Sequence, residues 1–228
     1  METTSAQVEA QKRAAAVRAL ELVRPGMLVG LGTGSTAAYF IAALAARVRD
    51  GLQIRAVVTS FESRRQAEEG GITVIDDPEA PLDLAVDGAD EIDPALNCIK
   101  GRGGALLREK IVAHASRRFV LIADERKLVD RLGYVAVPVE ILPFLWQVTS
   151  RSVERLGGKP QLRRVAGEPF RTDNQNLVLD TAFPRVDGQL AATLRTIPGV
   201  LEHGIFLGMA RAAIIGTPGG PRVMGELG

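Results

Sequence analysis

Met27 to Leu31 and Phe119 to Ala123 are apolar at every position rather than at every second one, and Leu82 to Val86 nearly so. Strands of that kind are buried on both faces. Helical periodicity separates them, over Gln7 to Val23, Ala37 to Val48, Glu62 to Glu69 and Gly104 to Ser116, with shorter strand candidates at Ile54 to Thr59 and Ile72 to Ile75. The alternation predicts a parallel sheet covered by helices on each side, a Rossmann-like α/β layer. In such a layer ligands bind where the carboxyl ends of the strands meet their connecting loops.

After about Leu132 the rhythm changes. Strand candidates at Val135 to Ile141, Leu162 to Val165, Leu177 to Asp180 and Val200 to Phe206 enclose helical stretches at Phe144 to Leu156 and Leu190 to Thr196. That order is a split βαβ arrangement, a smaller ferredoxin-like α+β domain. Ala212 to Ile215 is read as returning to the first sheet. The expected domains are therefore residues 1–131 together with 208–228, and residues 132–207.

The 228 residues carry a formal net charge of +1, so no global field draws nucleic acid or an anionic membrane. No apolar run nears the ~18 residues of a membrane span, and the N-terminal stretch lacks a leader pattern, so a soluble cytoplasmic protein is expected. The single cysteine, Cys98, has no partner at metal spacing and reads as packing. His114 and His203 are assigned no chemistry.

The polar motifs fall at strand ends. Gly32-Thr33-Gly34-Ser35-Thr36 joins a strand to a helix, where free N–H groups and hydroxyls suit a phosphate. The dinucleotide fingerprint begun at Gly30 would need glycine at position 35, which is Ser35, and no Lys-Ser/Thr pair makes it a Walker loop. Val86-Asp87-Gly88-Ala89-Asp90-Glu91-Ile92-Asp93 reads as a solvated acidic loop, a Mg²⁺ site, or carboxylates paired with Lys100, one of only five lysines among 28 basic residues. Glu109 has Ala105, Leu106, Val112 and Ala113 at helical spacing. A carboxylate in that sector is disfavoured as an anion, so its pKa is expected to rise toward the range of a working general base. Asp124-Glu125-Arg126-Lys127 closes another strand and offers Lys127 to the same end of the sheet.

In order and spacing, GLGTGSTA, DLAVDGADEID, KGRGGALLREKI, FVLIADERK, PVEILPF and IPGVLEHGIF resemble ribose-5-phosphate isomerases of the A type, from the first helix to near the C-terminus. The resemblance implies a phosphate and substrate loop at Thr33, Gly34, Ser35 and Thr36. It implies further substrate contacts at Asp87, Gly88, Ala89 and Asp90, at Lys100, Gly101, Arg102 and Gly103, and at Lys127, with Lys12 helping to hold phosphate. Glu109 is the implied proton acceptor, and Asp87, Asp90 and Lys100 complete the catalytic set. One departure is Arg102, where the family pattern leads us to expect a small residue. The implied reaction interconverts ribose 5-phosphate and ribulose 5-phosphate with no metal and no cofactor, and the implied assembly is a homodimer or homotetramer. The alternatives are a phosphosugar-binding sensor, for which the 29 residues before Gly30 leave no DNA-reading module, an amino-sugar-phosphate isomerase, or a CoA transferase on a similar sheet.

Overall fold

The computed structural model describes residues 4–227. Two compact units emerge, one of Met1–Ala89, Arg108–Lys127 and Gly208–Gly228, the other of Asp90–Leu107 and Leu128–Leu207. This corrects the expected division: residues 90–107 and 128–131 belong with the smaller unit, because their backbone pairs there. Cys98–Ile99 runs antiparallel to Ile205–Phe206, and the Val129 N–H bonds the Ile92 carbonyl at 2.9 Å. Composition carries no trace of such pairings. Residues 1–3 and 228, inside the expected boundaries, lie outside the described residues.

The larger unit is built on a seven-stranded sheet. Its spatial order is Gly220–Gly225, Ala212–Thr217, Phe119–Asp124, Leu84–Asp87, Leu28–Leu31, Arg55–Val58 and Thr73–Val74. Every pairing is parallel except that of the edge hairpin, Ala212–Thr217 with Gly220–Gly225. From Leu28–Leu31 the chain first builds outward on one side and then, from Leu84–Asp87, on the other. The strand order therefore reverses between these two neighbours, and the crevice beyond their carboxyl ends is where such sheets bind ligands.

The helices of this unit form for local reasons. Thr4 caps Ser5–Leu20 by accepting from the Gln7 N–H while Gln7 answers the Thr4 N–H. The buried stripe of that helix is Val8, Gln11, Ala15, Ala16 and Ala19, side chains small enough for close approach. Ser35–Arg49 buries Phe40, Ile41 and Leu44, and Phe61–Glu69 is capped by Ser60. The fourth helix is Leu106–Ala115, a little shorter than expected.

In the smaller unit the antiparallel order Val200–His203, Val137–Ile141, Leu177–Ala182, Lys159–Leu162 holds four strands, with helices Trp146–Glu154 and Gly188–Leu194 in the connections. That is the ferredoxin-like order expected. Alternate residues Val137, Val139, Ile141, Leu177 and Leu179 make its core with Val153 and Leu194. Two expected strands are each divided. Leu162 to Val165 splits between Lys159–Leu162 and a small hairpin, Arg164–Val165 with Glu168–Pro169. Val200 to Phe206 splits at Gly204 between the four-stranded sheet and a ribbon of Glu91–Ile92, Cys98–Ile99 and Ile205–Phe206. A Cβ on Gly204 would stand 2.1 Å from the Lys100 carbonyl oxygen, so no side chain fits where the run changes sheets.

Candidate active site

The larger unit's reversal point is assembled from Gly32 to Thr36 and Asp87. Asp87 ends its strand one register step from Leu31, and its carboxylate lies over Gly32, where a Cβ would come within 2.0 Å of Oδ1. Glycine at position 32 is thus required by an aspartate 55 residues away in the chain. Asp87 Oδ1 accepts the N–H groups of Thr33 at 3.1 Å and Gly88 at 2.7 Å, and Asp87 is only 3% exposed. The Thr33 hydroxyl is 2.7 Å from that of Thr59 and 3.2 Å from that of Ser63, while Ser63 Oγ donates to the Gly32 carbonyl. The loop is held on both sides.

Beyond it, Gly34 begins the helix Ser35–Arg49 at φ +110° and brings no side-chain cap. Four N–H groups at a helix start lack intrahelical partners, and with the helix dipole they favour an anion. Lys12 reaches the same place, donating from Nζ to Ser35 Oγ at 3.0 Å and to Glu9 Oε1 at 2.7 Å. That ammonium, and then the Tyr39 hydroxyl, hold the Glu9 carboxyl below its ordinary range. Thr33 to Thr36, Asp87, Gly88 and Lys12 are therefore gathered by the larger unit.

Glu109 and Lys127 are on the same unit. Glu109 sits on Leu106–Ala115 with 3% exposure, between buried Ala105, Leu106, Val112 and Ala113. The apolar sector read from spacing is present. Arg108, beside it, stacks over the Phe61 ring at 4.9 Å. Lys127 ends a short 3₁₀ turn, Glu125–Lys127, at the carboxyl end of Phe119–Asp124. Buried Gln11 anchors that turn, its Nε2 donating to Glu125 Oε1 at 2.7 Å and its Oε1 accepting the Glu125 N–H at 3.4 Å. Sequence reasoning passed over Gln11; a glutamine interrupting an alanine-rich helical stripe was the available signal.

The acidic run is not an open loop. In the smaller unit Asp90 Oδ2 accepts the Arg102 N–H at 3.1 Å. Glu91, 2% exposed, takes the N–H groups of Gly133 and Val135 on its two oxygens, and Asp93 closes a turn by accepting from Ala95 and Asn97. With Asp87 in its own unit, each of the four carboxylates organises a different stretch of backbone. Among the described residues no three His, Cys, Asp or Glu side chains are grouped to hold a metal ion.

Lys100 is 2% exposed, with its ammonium 5.7 Å from the Phe206 ring centre and its N–H on the Gly204 carbonyl. The Arg102 side chain is exposed, so this departure from the family pattern does not crowd the backbone of the Lys100 to Gly103 loop. What sequence reasoning missed is Arg163, whose Nη1 donates to the carbonyls of Gly101 at 3.1 Å and Arg102 at 3.0 Å. No local spacing marks it, because it lies 61 residues further on.

The sequence profile of ribose 5-phosphate isomerase A (phosphoriboisomerase A) matches residues 55–220. The ribose-5-phosphate isomerase A of Parvibaculum lavamentivorans is 49% identical over 225 residues, covering 94% of this chain and 97% of its own. That of Gloeobacter violaceus is 49% identical over 218 residues, covering 93% and 95%. Among solved structures, a D-ribose-5-phosphate isomerase in complex with phospho-erythronic acid superposes with a TM-score of 0.92 at 40% identity, covering 96% of this chain and 99% of the other. Ribose 5-phosphate isomerase A of Methanocaldococcus jannaschii gives 0.92 at 37% identity with the same coverage. No helix among the described residues is long and apolar enough to cross a membrane. Taken with the geometry of the strand ends, this agreement along nearly the whole chain means that the protein belongs to the ribose-5-phosphate isomerase A family.

Proposed function

We infer that this chain is an aldose–ketose isomerase interconverting D-ribose 5-phosphate and D-ribulose 5-phosphate. The observation that carries the reading is its match, across 96% of its length, to an isomerase of that name bound to phospho-erythronic acid. A sensor that binds the sugar without turnover, or an isomerase for an amino sugar, has no comparable support.

Moving the carbonyl from C1 to C2 of the opened aldose requires loss of the C2 proton, with its electron pair forming a C1=C2 bond and the charge passing to O1. Return of that proton to C1, with the O2 proton passing to O1 as C2=O forms, completes the ketose. Glu109 takes the first proton and returns it across one face of the enediol, a role typically worth about 10²–10⁴-fold. Its burial supports this assignment, since a site closed to bulk water strengthens the electrostatic contacts made around the reacting carbons. Lys100 and nearby N–H groups stabilise the enediolate oxygen, and Asp87 or Asp90 handles hydroxyl protons and ring opening. Thr33 to Thr36, with Lys12 and Lys127, hold the phosphate, and remote binding there orients the reacting carbons. Gly88, Ala89, Gly101, Arg102 and Gly103 contribute backbone to the substrate.

The test is turnover of ribose 5-phosphate in the presence of EDTA and deuterated solvent. Isomerisation with deuterium entering C1 of the product supports proton transfer by a side chain. Normal turnover with product and recovered substrate unlabelled, and hydrogen passing directly between the carbons, overturns it.

We propose further that the enzyme is a cytoplasmic homodimer or homotetramer. The exposed apolar residues Leu142, Phe144, Leu145 and Val148 in one short stretch, Phe144 at 74%, support self-association. A monomer mass by light scattering at micromolar concentration would refute it.

A further inference from the structure

We propose that Arg163, oriented by Asp180, is a positioning residue for Lys100: it sets the path of the main chain that presents the lysine. This rests on the reading of Lys100 as the group that stabilises the enediolate oxygen.

Arg163 follows the strand Lys159–Leu162, and Asp180 lies on the neighbouring strand Leu177–Ala182. The guanidinium donates from Nε to Asp180 Oδ2 at 2.8 Å and from Nη2 to Oδ1, a two-pronged pair that fixes its plane. With the plane fixed, Nη1 is aimed at the carbonyls of Gly101 and Arg102. The Phe170 ring lies 5.6 Å from the guanidinium carbon, and the Arg163 side chain is 12% exposed. Asp90 holds the N–H of Arg102, so both the donor and the acceptor of that residue are engaged.

The captured stretch is one that would otherwise wander. Gly101 at φ +102° and Gly104 at φ +82° adopt conformations open to glycine, and flexible residues of this kind sample many others when released. A stabilising ion pair would need no main-chain target. This one spends a donor on two successive carbonyls immediately after Lys100, in a loop with no regular ladder to hold it. A planar fork satisfies that geometry where an ammonium does not, so lysine at 163 is a poor substitute.

The experiment is a double-mutant cycle in steady-state kinetics with Arg163→Ala, Lys100→Ala and the pair, with thermal melts of each. Arg163→Ala is expected to lower kcat at least about tenfold while KM moves less than about threefold, as for a displaced catalytic group. Lys100→Ala is expected to lose about 10²-fold or more. In the Lys100→Ala background, Arg163→Ala should cost less than about twofold in kcat, because its effect on the chemical step passes through the missing ammonium. Equal losses in both backgrounds, or wild-type kcat in Arg163→Ala beside a crippled Lys100→Ala, overturn the inference while leaving Lys100 in its role. Wild-type turnover in Lys100→Ala overturns the role of Lys100 and this inference with it. Should Arg163→Ala fail to fold by its melt, Asp180→Asn, which keeps the guanidinium and removes one charge, takes its place in the same cycle with the same outcomes.

Discussion

The loops at Gly32–Thr36 and at Lys100–Gly103 are fixed by opposite means. The first is held by its neighbours in the sheet: Asp87 from the adjacent strand, and Thr59 and Ser63 from the next strand and helix. The second is held by a side chain from beside another sheet, Arg163 oriented by Asp180, with Asp90 closing its other side. A loop at the carboxyl end of a parallel strand inherits its position from the ladder, which the sheet already stabilises. A loop between a two-residue ribbon strand and a helix inherits little, and side chains from another sheet must supply what the ladder does not.

This contrast can be tested from its strongest consequence to its weakest. If the reacting proton is carried from the larger unit, Glu109→Gln should lower kcat by at least about 10²-fold and leave KM within a few-fold. Near-normal turnover would move the base elsewhere. Gly32→Ala should destabilise the fold by about 1–3 kcal/mol in urea titrations, since the added methyl meets the Asp87 carboxylate. An unchanged midpoint would mean that the ladder-held loop has slack. Lys127→Ala should raise KM several-fold with kcat nearly kept, a loss of binding shared by ground and transition states. Smallest is Glu9→Gln. The Glu9 carboxyl is held low by Lys12 and Tyr39, so its contribution to stability is present at neutral pH and fades as pH falls through its folded-state value. The variant should be slightly less stable than wild type at pH 7 and indistinguishable from it in strong acid.

The middle of the larger unit's sheet was legible because Leu28–Leu31, Leu84–Asp87 and Phe119–Asp124 are apolar almost throughout and end in motifs whose residue types already suggest phosphate and proton chemistry, whereas the edge strand Gly220–Gly225 has no such run. The apolar sector around Glu109 was legible because a periodic pattern tells which side chains share one face of a helix. The residues 90–107 were assigned to the wrong unit because ribbon strands of two residues, such as Cys98–Ile99, have no periodicity to read. Arg163 was missed because an arginine after a short strand resembles any solvated arginine until the strand bearing Asp180 is placed beside it. The acidic run reads as one group in the sequence, yet its carboxylates meet separate stretches of backbone, Glu91 at Gly133 and Val135 and Asp93 at Ala95 and Asn97. Which amide a carboxylate will meet depends on chain paths that the run itself does not encode.

Gly204 lets one continuous segment serve two sheets. Its N–H bonds the Pro138 carbonyl and its own carbonyl receives the Lys100 N–H, so the four-stranded sheet and the ribbon share a single register through one residue. The pairing with Val137–Ile141 already absorbs one extra residue in a bulge between Val200 and Glu202, but an insertion or deletion from Glu202 to Phe206 would slip one pairing against the other and turn inward side chains outward on one side of Gly204. From Glu202 onward the segment is thereby closed to length variation.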